Sequence, residues 1–298
     1  MFNPTSLEKG LRAIFLSQLA MSKASLLDKI ATVVPSTYRD EKYAWLGESP
    51  QMEEIVDEFK SVPVSDTGYT LTNKKYGAML EVRREDLADD ATGGIVMRTR
   101  QLAAVAARNT DKLLVSALTS GGTDLCYDGA AFFTASHPAR GKSGTQSNLV
   151  SQTGTTTAAV ATDINTAISQ MIALKAENGE PFHDMPTQFV IMAGPALRKP
   201  VREAVNAAII SQTSNVQLQG DSIELIFSAR LTGNTWYLLN TDGPVRPLLF
   251  QDREPLEFTA LEAANDSDST FRREVYSYKV RQRCRAGYSF WQKAMKVA

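Results

Sequence analysis

Three side chains in one twelve-residue stretch could act together in nucleophilic catalysis. Cys126, Asp128 and His137 would form this set, in which a thiol attacks after an imidazole removes its proton and a carboxylate orients the imidazole. The stretch is rich in small residues, and no strand-turn-helix elbow surrounds the cysteine. The alternative is a small buried cysteine, a turn aspartate before Gly129 and a histidine before Pro138. We predict no catalytic residue.

Metal and nucleotide sites also lack support in the sequence. The two histidines and the two cysteines, Cys126 and Cys284, do not form H-x-x-x-H or C-x-x-C pairs. No glycine cluster matches a dinucleotide-binding or P-loop pattern. The carboxylates of Asp89 and Asp90 are explained by their place before a helix N-terminus. We predict no metal site and no cofactor, and two free thiols are typical of a reducing compartment.

The strongest pattern alternates along the segment from Phe271 to Trp291. Successive side chains of a strand point to opposite faces. One face carries Tyr276, Tyr278, Val280, Cys284, Ala286, Tyr288 and Phe290, and the other carries Lys279, Arg281, Arg283 and Arg285. The pattern predicts a long strand with an aromatic underside and a row of cations. No aromatic residue interleaves with the cations, so an ion network or a protein partner is favoured over nucleic-acid phosphates.

Charge is segregated along a chain that is nearly neutral overall. The 298 residues are 43% apolar and carry a net charge of −1, which argues against nucleic-acid binding by bulk charge. Residues 48–66 carry six carboxylates against one lysine, whereas residues 272–296 carry eight cations against one glutamate. We predict a contact between the two blocks, within one chain or between copies. The inter-subunit candidates are Glu53, Glu54, Asp57, Glu58, Arg281, Arg283 and Arg285.

The sequence pattern of the N-terminal third predicts an amphipathic helix followed by a long extended loop. Residues 4–30 carry an apolar stripe that includes Leu11 and Phe15. This helix is either an arm, separated from the rest by Val33-Val34-Pro35, or a first helix packed on its own core. Residues 37–90 combine turn signals with β-prone stretches at 59–64 and 76–83, which predicts a long β-hairpin. The N-terminal apolar stretch is broken by polar residues, so we expect no secretory signal, and no apolar run reaches membrane-spanning length.

The remaining elements follow from periodicity and glycine positions. Residues 92–118 predict one helix about 40 Å long, with Thr92 as N-cap and Gly121-Gly122 at its end. Its predicted apolar face carries Leu102, Ala106, Leu113 and Ala117, and Leu114 and Leu118 extend this stripe. A long loop is predicted over 119–160 and a second helix over 161–177. Residues 186–250 predict a compact α/β unit with strands at 189–192, 223–227 and 236–239.

Several segments, in this order, resemble the major head subunit of Mu-like bacteriophages, a family with the Hong Kong-97-type capsid fold. The loop Tyr127–Pro138 is similar to the family's YDG-x-x-FF…HP motif. The other matching segments are Pro186–Leu197, Trp236–Asn240, Pro247–Pro255 and Val280–Ala294. The matches span most of the chain, and their common order carries the resemblance. None of them is a signature of chemistry.

The resemblance implies an α+β fold with five parts. They are an N-terminal arm (1–36), an extended β-hairpin loop (37–90), a peripheral domain with a long spine helix (91–185), an axial domain (186–250) and return strands of the peripheral domain (251–298). It implies no enzyme activity and no transferred catalytic residue. Some relatives cross-link loop lysines to asparagines. Asn73, Lys74 and Lys75 exist here, but nothing in the sequence identifies such a pair.

The resemblance also implies function and partners. The expected protein is a major capsid subunit that forms hexamers and pentamers of an icosahedral shell around double-stranded DNA. The shell would be assembled in the bacterial cytoplasm and become part of the virion. About 90 residues precede the spine helix, so we expect a separate scaffolding protein, together with a portal and weak, non-specific contact with DNA. The alternatives are a cellular nanocompartment shell of the same fold and a cytosolic cysteine hydrolase centred on Cys126.

Overall fold

Helices and two larger β-sheets build an α+β protein. The computed structural model describes residues 4–22, 26–47, 68–83, 85–86, 93–207, 209–210, 213–214, 222–261 and 275–298. The helices are α1 (Pro4–Met21), α2 (Leu27–Ile30), α3 (Gly94–Ser120), α4 (Thr157–Ile172) and α5 (Arg198–Asn206). The strands are β1 (Ala31–Pro35), β2 (Asp40–Lys42), β3 (Thr70–Thr72), β4 (Lys74–Arg83), β5 (Leu149–Val150), β6 (Gln188–Ala193), β7 (Ile209–Ile210), β8 (Thr213–Ser214), β9 (Ser222–Phe227), β10 (Trp236–Asn240), β11 (Leu248–Leu261), β12 (Val275–Tyr288) and β13 (Ala294–Val297).

A four-stranded sheet in the order β1-β11-β12-β4 contains the predicted cationic strand. β12 pairs antiparallel with both neighbours, and β1 joins β11 in parallel. The predicted alternation is confirmed, since Tyr276, Tyr278 and Val280 are buried while Lys279 is exposed. The structure corrects one prediction here. The run Val33-Val34-Pro35, which was expected only to separate the arm from the rest, belongs to β1 and is part of this sheet.

A five-stranded sheet in the order β5-β13-β10-β6-β9 forms the second layer. Its strands at 188–193, 222–227 and 236–240 confirm the predicted α/β unit, and α4 and α5 pack together beside it. The sheet also takes in β5 and β13, which lie outside the range 186–250. Hydrogen bonding thus extends this sheet beyond the predicted unit to residues 149–150 and 294–297, and the domain limits themselves stay a prediction.

The long helix α3 lies against the four-stranded sheet and differs in detail from the prediction. It begins after Gly93, whose φ of 71° is left-handed, and ends at Ser120. Gly93 is therefore the N-cap in place of Thr92. The predicted stripe is confirmed at Leu114, Ala117 and Leu118, which are buried, whereas its other members Leu102, Ala106 and Leu113 are only half-buried. Ala103 and Ala107 are buried in addition. Small side chains on this face allow close approach to the strands.

The N-terminal helix packs on its own chain and closes a second, smaller core. The predicted helix over 4–30 is interrupted, giving α1 and the single turn α2. Leu11 and Phe15 of α1 are buried with Ile95 of α3 and with residues of β4, β11 and β12. The Phe15 ring stacks on Phe258 at 4.7 Å between ring centres. The main core lies under the five-stranded sheet and extends to the base of the hairpin.

Candidate assembly surfaces

The arginine row of β12 faces an acidic residue of the neighbouring strand. Arg281 Nη2 lies 2.7 Å from Glu254 Oε2, and Arg283 Nη1 lies 2.8 Å from Glu254 Oε1. The hydrogen bond from Arg283, followed by the charge of Arg281, lowers the pKa of Glu254. The row thus forms part of a cross-strand ion network, with two cations sharing one carboxylate.

The partner Glu254 was not identified from the sequence, although a signal for it exists. Glu254 pairs in register with Arg283, and Glu257 pairs with Arg281. Acidic residues therefore recur along β11 opposite the basic residues of β12. The predicted acidic partners Glu53, Glu54, Asp57 and Glu58 lie outside the described residues, so their contact with the arginine row stays a prediction.

The base of the hairpin is anchored in a buried polar network. β2 and β3 pair antiparallel, as a hairpin requires, whereas the predicted strand at 59–64 lies outside the described residues. Tyr43 donates a hydrogen bond to Gln251 Oε1 at 2.7 Å, and Asn73 Nδ2 donates to Ser36 Oγ at 2.9 Å. Backbone N–H groups at 38 and 37 donate to Glu41 and lower its pKa. These hydrogen bonds fix the position at which the extended loop leaves the sheet.

Close packing reinforces the anchor at one glycine. The backbone N–H of Tyr288 donates to Tyr69 Oη at 2.9 Å. A methyl group on Gly287 would overlap the side chain of Leu71 and contact Tyr69. A side chain at position 287 would therefore push β3 away from β12. Loop residues on one side and the end of β12 on the other form one packed unit.

The three residues considered for catalysis do come together, but in an order that does not make a nucleophile. Cys126 Sγ donates to Asp128 Oδ1 at 2.9 Å, and His137 Nδ1 lies 2.6 Å from Asp128 Oδ2. The carboxylate thus stands between the thiol and the imidazole. Cys126 is buried, and burial followed by the negative charge of Asp128 raises the pKa of its thiol. Both effects oppose formation of a thiolate.

The same cluster is also the group in the described chain with metal-ligand potential. Its three ligand atoms lie within 4.8 Å of one another. The distance of 2.6 Å between His137 Nδ1 and Asp128 Oδ2 fits a shared proton and leaves no room for an ion between them. The absence of a metal site stays a prediction.

The cluster fastens a long loop to the segment after β12. His137 is 1% exposed and its ring stacks on Trp291 at 3.8 Å between centres. Its Nε2 lies 3.2 Å from Asn148 Oδ1, and Asn148 Nδ2 donates to the carbonyl oxygen of Phe132 at 2.7 Å. Burial acts to raise the pKa of Asp128, but hydrogen bonds from His137 and Cys126 outweigh it and lower that pKa. This cluster of Cys126, Asp128, His137 and Asn148, the loop lock, therefore holds the loop in place.

The described helices do not suit a bilayer. None of them combines the length and the apolar character needed to cross a membrane.

Comparison with known proteins identifies relatives over most of the chain. The family model for the Mu-like prophage major head subunit gpT matches residues 5–160 and 227–298. The Mu-like prophage FluMu major head subunit of Haemophilus influenzae is 26% identical over 270 residues, which are 90% of this chain and 65% of that protein. The major capsid protein of Escherichia phage Mu is 27% identical over 92% of this chain and 66% of its own length. The chain thus spans just under two thirds of these relatives.

Solved structures agree on the fold. The procapsid of bacteriophage JBD30 matches with a TM-score of 0.61 and 24% identity, over 98% of this chain and 73% of that chain. The virus-like particle of Pyrococcus furiosus matches with a TM-score of 0.58 and 10% identity, over 98% and 99% of the two chains. The fold is therefore the α+β Hong Kong-97-type capsid fold, and the chain belongs to the Mu-like prophage major head subunit gpT family.

Proposed function

We propose that this protein is the major capsid protein of a tailed bacteriophage or prophage, and that it assembles into an icosahedral shell around double-stranded DNA. The family match over residues 5–160 and 227–298 carries the proposal. It includes α1, the spine helix α3, the loop lock and both long strands. No part of the function requires a catalytic group.

The distribution of contacts supports self-assembly. The long strands β11 and β12 extend beyond the main core and are covered on one face by α1 and α3. Within the described residues β4 pairs only with β12, so its other edge can accept a neighbour. Heterologous contacts of this kind build rings, which would be the hexamers and pentamers of the shell. The five-part division into arm, loop, peripheral domain, axial domain and return strands stays part of this proposal.

The charge blocks would supply part of the contact between neighbours. Two arginines of β12 share one glutamate of β11, so the row keeps a net positive charge that can attract the acidic segment of an adjacent copy. Reversing the charges of Arg281, Arg283 and Arg285 should block assembly while the monomer stays folded. Normal shells from this variant would exclude the row as an assembly contact. Glu254→Gln serves as control, because it removes the internal partner and keeps the cations.

The remaining partners follow from the same proposal. A scaffolding protein and a portal would take part in assembly in the bacterial cytoplasm, and the finished shell would belong to the virion. The near-neutral net charge of −1 suits a container that holds DNA without gripping it. A nanocompartment would share the fold but enclose other cargo, and genomic neighbours encoding terminase, portal and head protease would separate the two.

Size-exclusion chromatography with electron microscopy tests the proposal. The purified chain, alone and with a co-expressed scaffolding candidate, should give rings, capsomers or closed shells. A compact monomer under both conditions would contradict it. Cys126→Ala should leave the shells intact, whereas loss of a hydrolytic activity in that variant would support an enzyme.

A further inference from the structure

A cavity of about 270 Å³ lies where several parts of the chain meet beside the loop lock. Its wall contains three aromatic side chains, those of Tyr127, Phe182 and Phe290. The ring centre of Phe290 lies 5.8 Å from that of Tyr127 and 5.5 Å from that of Phe182. The volume is just below the range of about 300–1,000 Å³ that is typical of pockets for drug-sized molecules. The cavity therefore suits a small ligand with one aromatic ring.

The wall of this cavity also contains an amine. Lys293 lines the cavity and is 9% exposed. Its Nζ donates a hydrogen bond to the carbonyl oxygen of Asp242 at 2.5 Å, two residues before Pro244, which also belongs to the wall. No described carboxylate lies within 4.0 Å of this nitrogen. A carbonyl oxygen only accepts hydrogen bonds, so the contact leaves the lone pair of a neutral amine unused.

The surroundings of the amine favour its neutral form. Burial has the largest effect and lowers the pKa of Lys293 to about 8, and the charge of Arg246 acts in the same direction. The charge of Asp242 opposes both. His183 also lies close enough to interact with Lys293, and burial lowers the pKa of that imidazole. A desolvated lysine of this kind is a nucleophile toward carbonyl carbon near neutral pH.

The charges around the cavity indicate which carbonyl compound fits. Glu177 lines the same cavity and pairs with Arg140 at 2.9 Å, and Asp242 interacts with the amine from the other side. Carbon dioxide would convert the amine to a carbamate anion, which these two carboxylates would repel. An aldehyde forms a neutral imine and adds no negative charge. The aromatic wall favours an aldehyde whose remaining part is apolar.

We propose that Lys293 is a covalent attachment site for a small apolar aldehyde, which lies between the rings of Tyr127, Phe182 and Phe290. The neutral amine attacks the carbonyl carbon and forms a carbinolamine. The carbonyl oxygen takes up both hydrogens of the amine and leaves as water. A C=N bond thus replaces the C=O bond, and no atom is oxidised or reduced. This site concerns the single chain and does not depend on shell assembly.

Reductive trapping with benzaldehyde tests the proposal. The folded chain is incubated with benzaldehyde, treated with sodium borohydride to convert imines to stable amines, digested and mapped by mass spectrometry. At pH 8, Lys293 should carry the benzyl group at least about tenfold more often than the exposed Lys142 and Lys175. Equal labelling of the three lysines, or preferential labelling of the exposed pair, would overturn the inference.

Three controls separate a cavity from a merely reactive lysine. Benzyl alcohol has the same ring but no carbonyl carbon, so it should compete at Lys293 and leave Lys142 and Lys175 unchanged. In urea the cavity is lost, and the preference for Lys293 should disappear. Phe182→Ala removes one aromatic wall and keeps the amine, so labelling of Lys293 should fall about fivefold. Failure of benzyl alcohol to compete, a preference that persists in urea, or undiminished labelling of the Phe182→Ala chain would each overturn the inference.

Discussion

The loop lock and the strand ribbon place their polar side chains in opposite ways. In the loop lock, His137, Asp128 and Asn148 are turned inward and bonded to one another. In the ribbon of β4, β11 and β12, aromatic side chains fill a small core while charged side chains lie outside. The loop lock is complete within one chain, whereas the ribbon leaves cations and apolar groups such as Met79 exposed. A subunit built to assemble needs both kinds of region.

The largest effect should come from the main core. Trp236 is fully buried in β10, the central strand of the five-stranded sheet. Trp236→Ala should reduce the free energy of unfolding by about 3–5 kcal/mol, since a large side chain is lost from a packed site. Urea denaturation followed by circular dichroism measures it. A loss below about 1 kcal/mol would show that the core can collapse around the gap.

Breaking the loop lock should have the next largest effect. Asp128→Asn keeps the shape but removes the charge that faces His137, and should cost about 3 kcal/mol. Cys126→Ala is the matched control, because it removes only the weak S–H hydrogen bond to the same carboxylate, keeps the charge of Asp128, and should cost about 1 kcal/mol. Denaturant midpoints of the two variants should therefore differ clearly. Equal midpoints would show that the His137–Asp128 pair adds nothing beyond a neutral contact.

The second core should respond locally. Phe15→Ala removes the ring that stacks on Phe258, so α1 should detach while the main core stays folded. Hydrogen exchange should become at least about tenfold faster for the amides of α1, with little change in β6 and β10. Uniformly faster exchange throughout the chain would mean that the two cores unfold as one unit.

A buried lysine should make stability depend on alkaline pH. Burial, partly offset by the charge of Asp242, lowers the pKa of Lys293 from 10.5 to about 8. Between these values the unfolded chain binds more protons than the folded chain, so stability rises with pH through this window. Relative to Lys293→Met, the native chain should gain about 1 kcal/mol between pH 8 and 10.5, since solvent screens part of the charge. Parallel pH profiles would contradict this.

The smallest effect on folding should come from Glu254→Gln. The Glu254 side chain is 38% exposed, and ion pairs that reach solvent contribute little. Because its pKa is lowered by Arg283 and Arg281, its contribution is present above the ordinary carboxyl pKa and is lost as pH falls below it. Denaturation at pH 7 and pH 3 measures the difference. A large loss at pH 7 would show that the ribbon depends on this pair.

The sequence predicted those elements in which apolar side chains recur with a single period. The alternation of β12 is readable because each residue's face depends only on its neighbours along the strand. β1 was missed because its partner, beginning at Leu248, is more than two hundred residues away. The burial of Ala103 and Ala107 in α3 was not predicted, because these small residues are buried by contacts with other elements and not by their own hydrophobicity.

The side-chain clusters also differ in how far the sequence predicts them, depending on whether their residues are close together along the chain. The approach of Cys126, Asp128 and His137 was considered because they are close in sequence, but the intermediate position of the carboxylate depends on the fold of the loop. A groove between α3 and the four-stranded sheet could not be predicted, because it joins side chains of α3, three strands and Arg230. Its cations are spread over residues 108–230 and form no motif.

The central position of β12 in its sheet has a consequence for variation among related chains. β12 has a neighbour on each side and opposite faces of different polarity. Inserting or deleting one residue would shift every later side chain to the other face, placing arginines among aromatic rings and breaking two ladders at once. Homologues are therefore expected to keep the length of this strand even where the side chains on its faces differ.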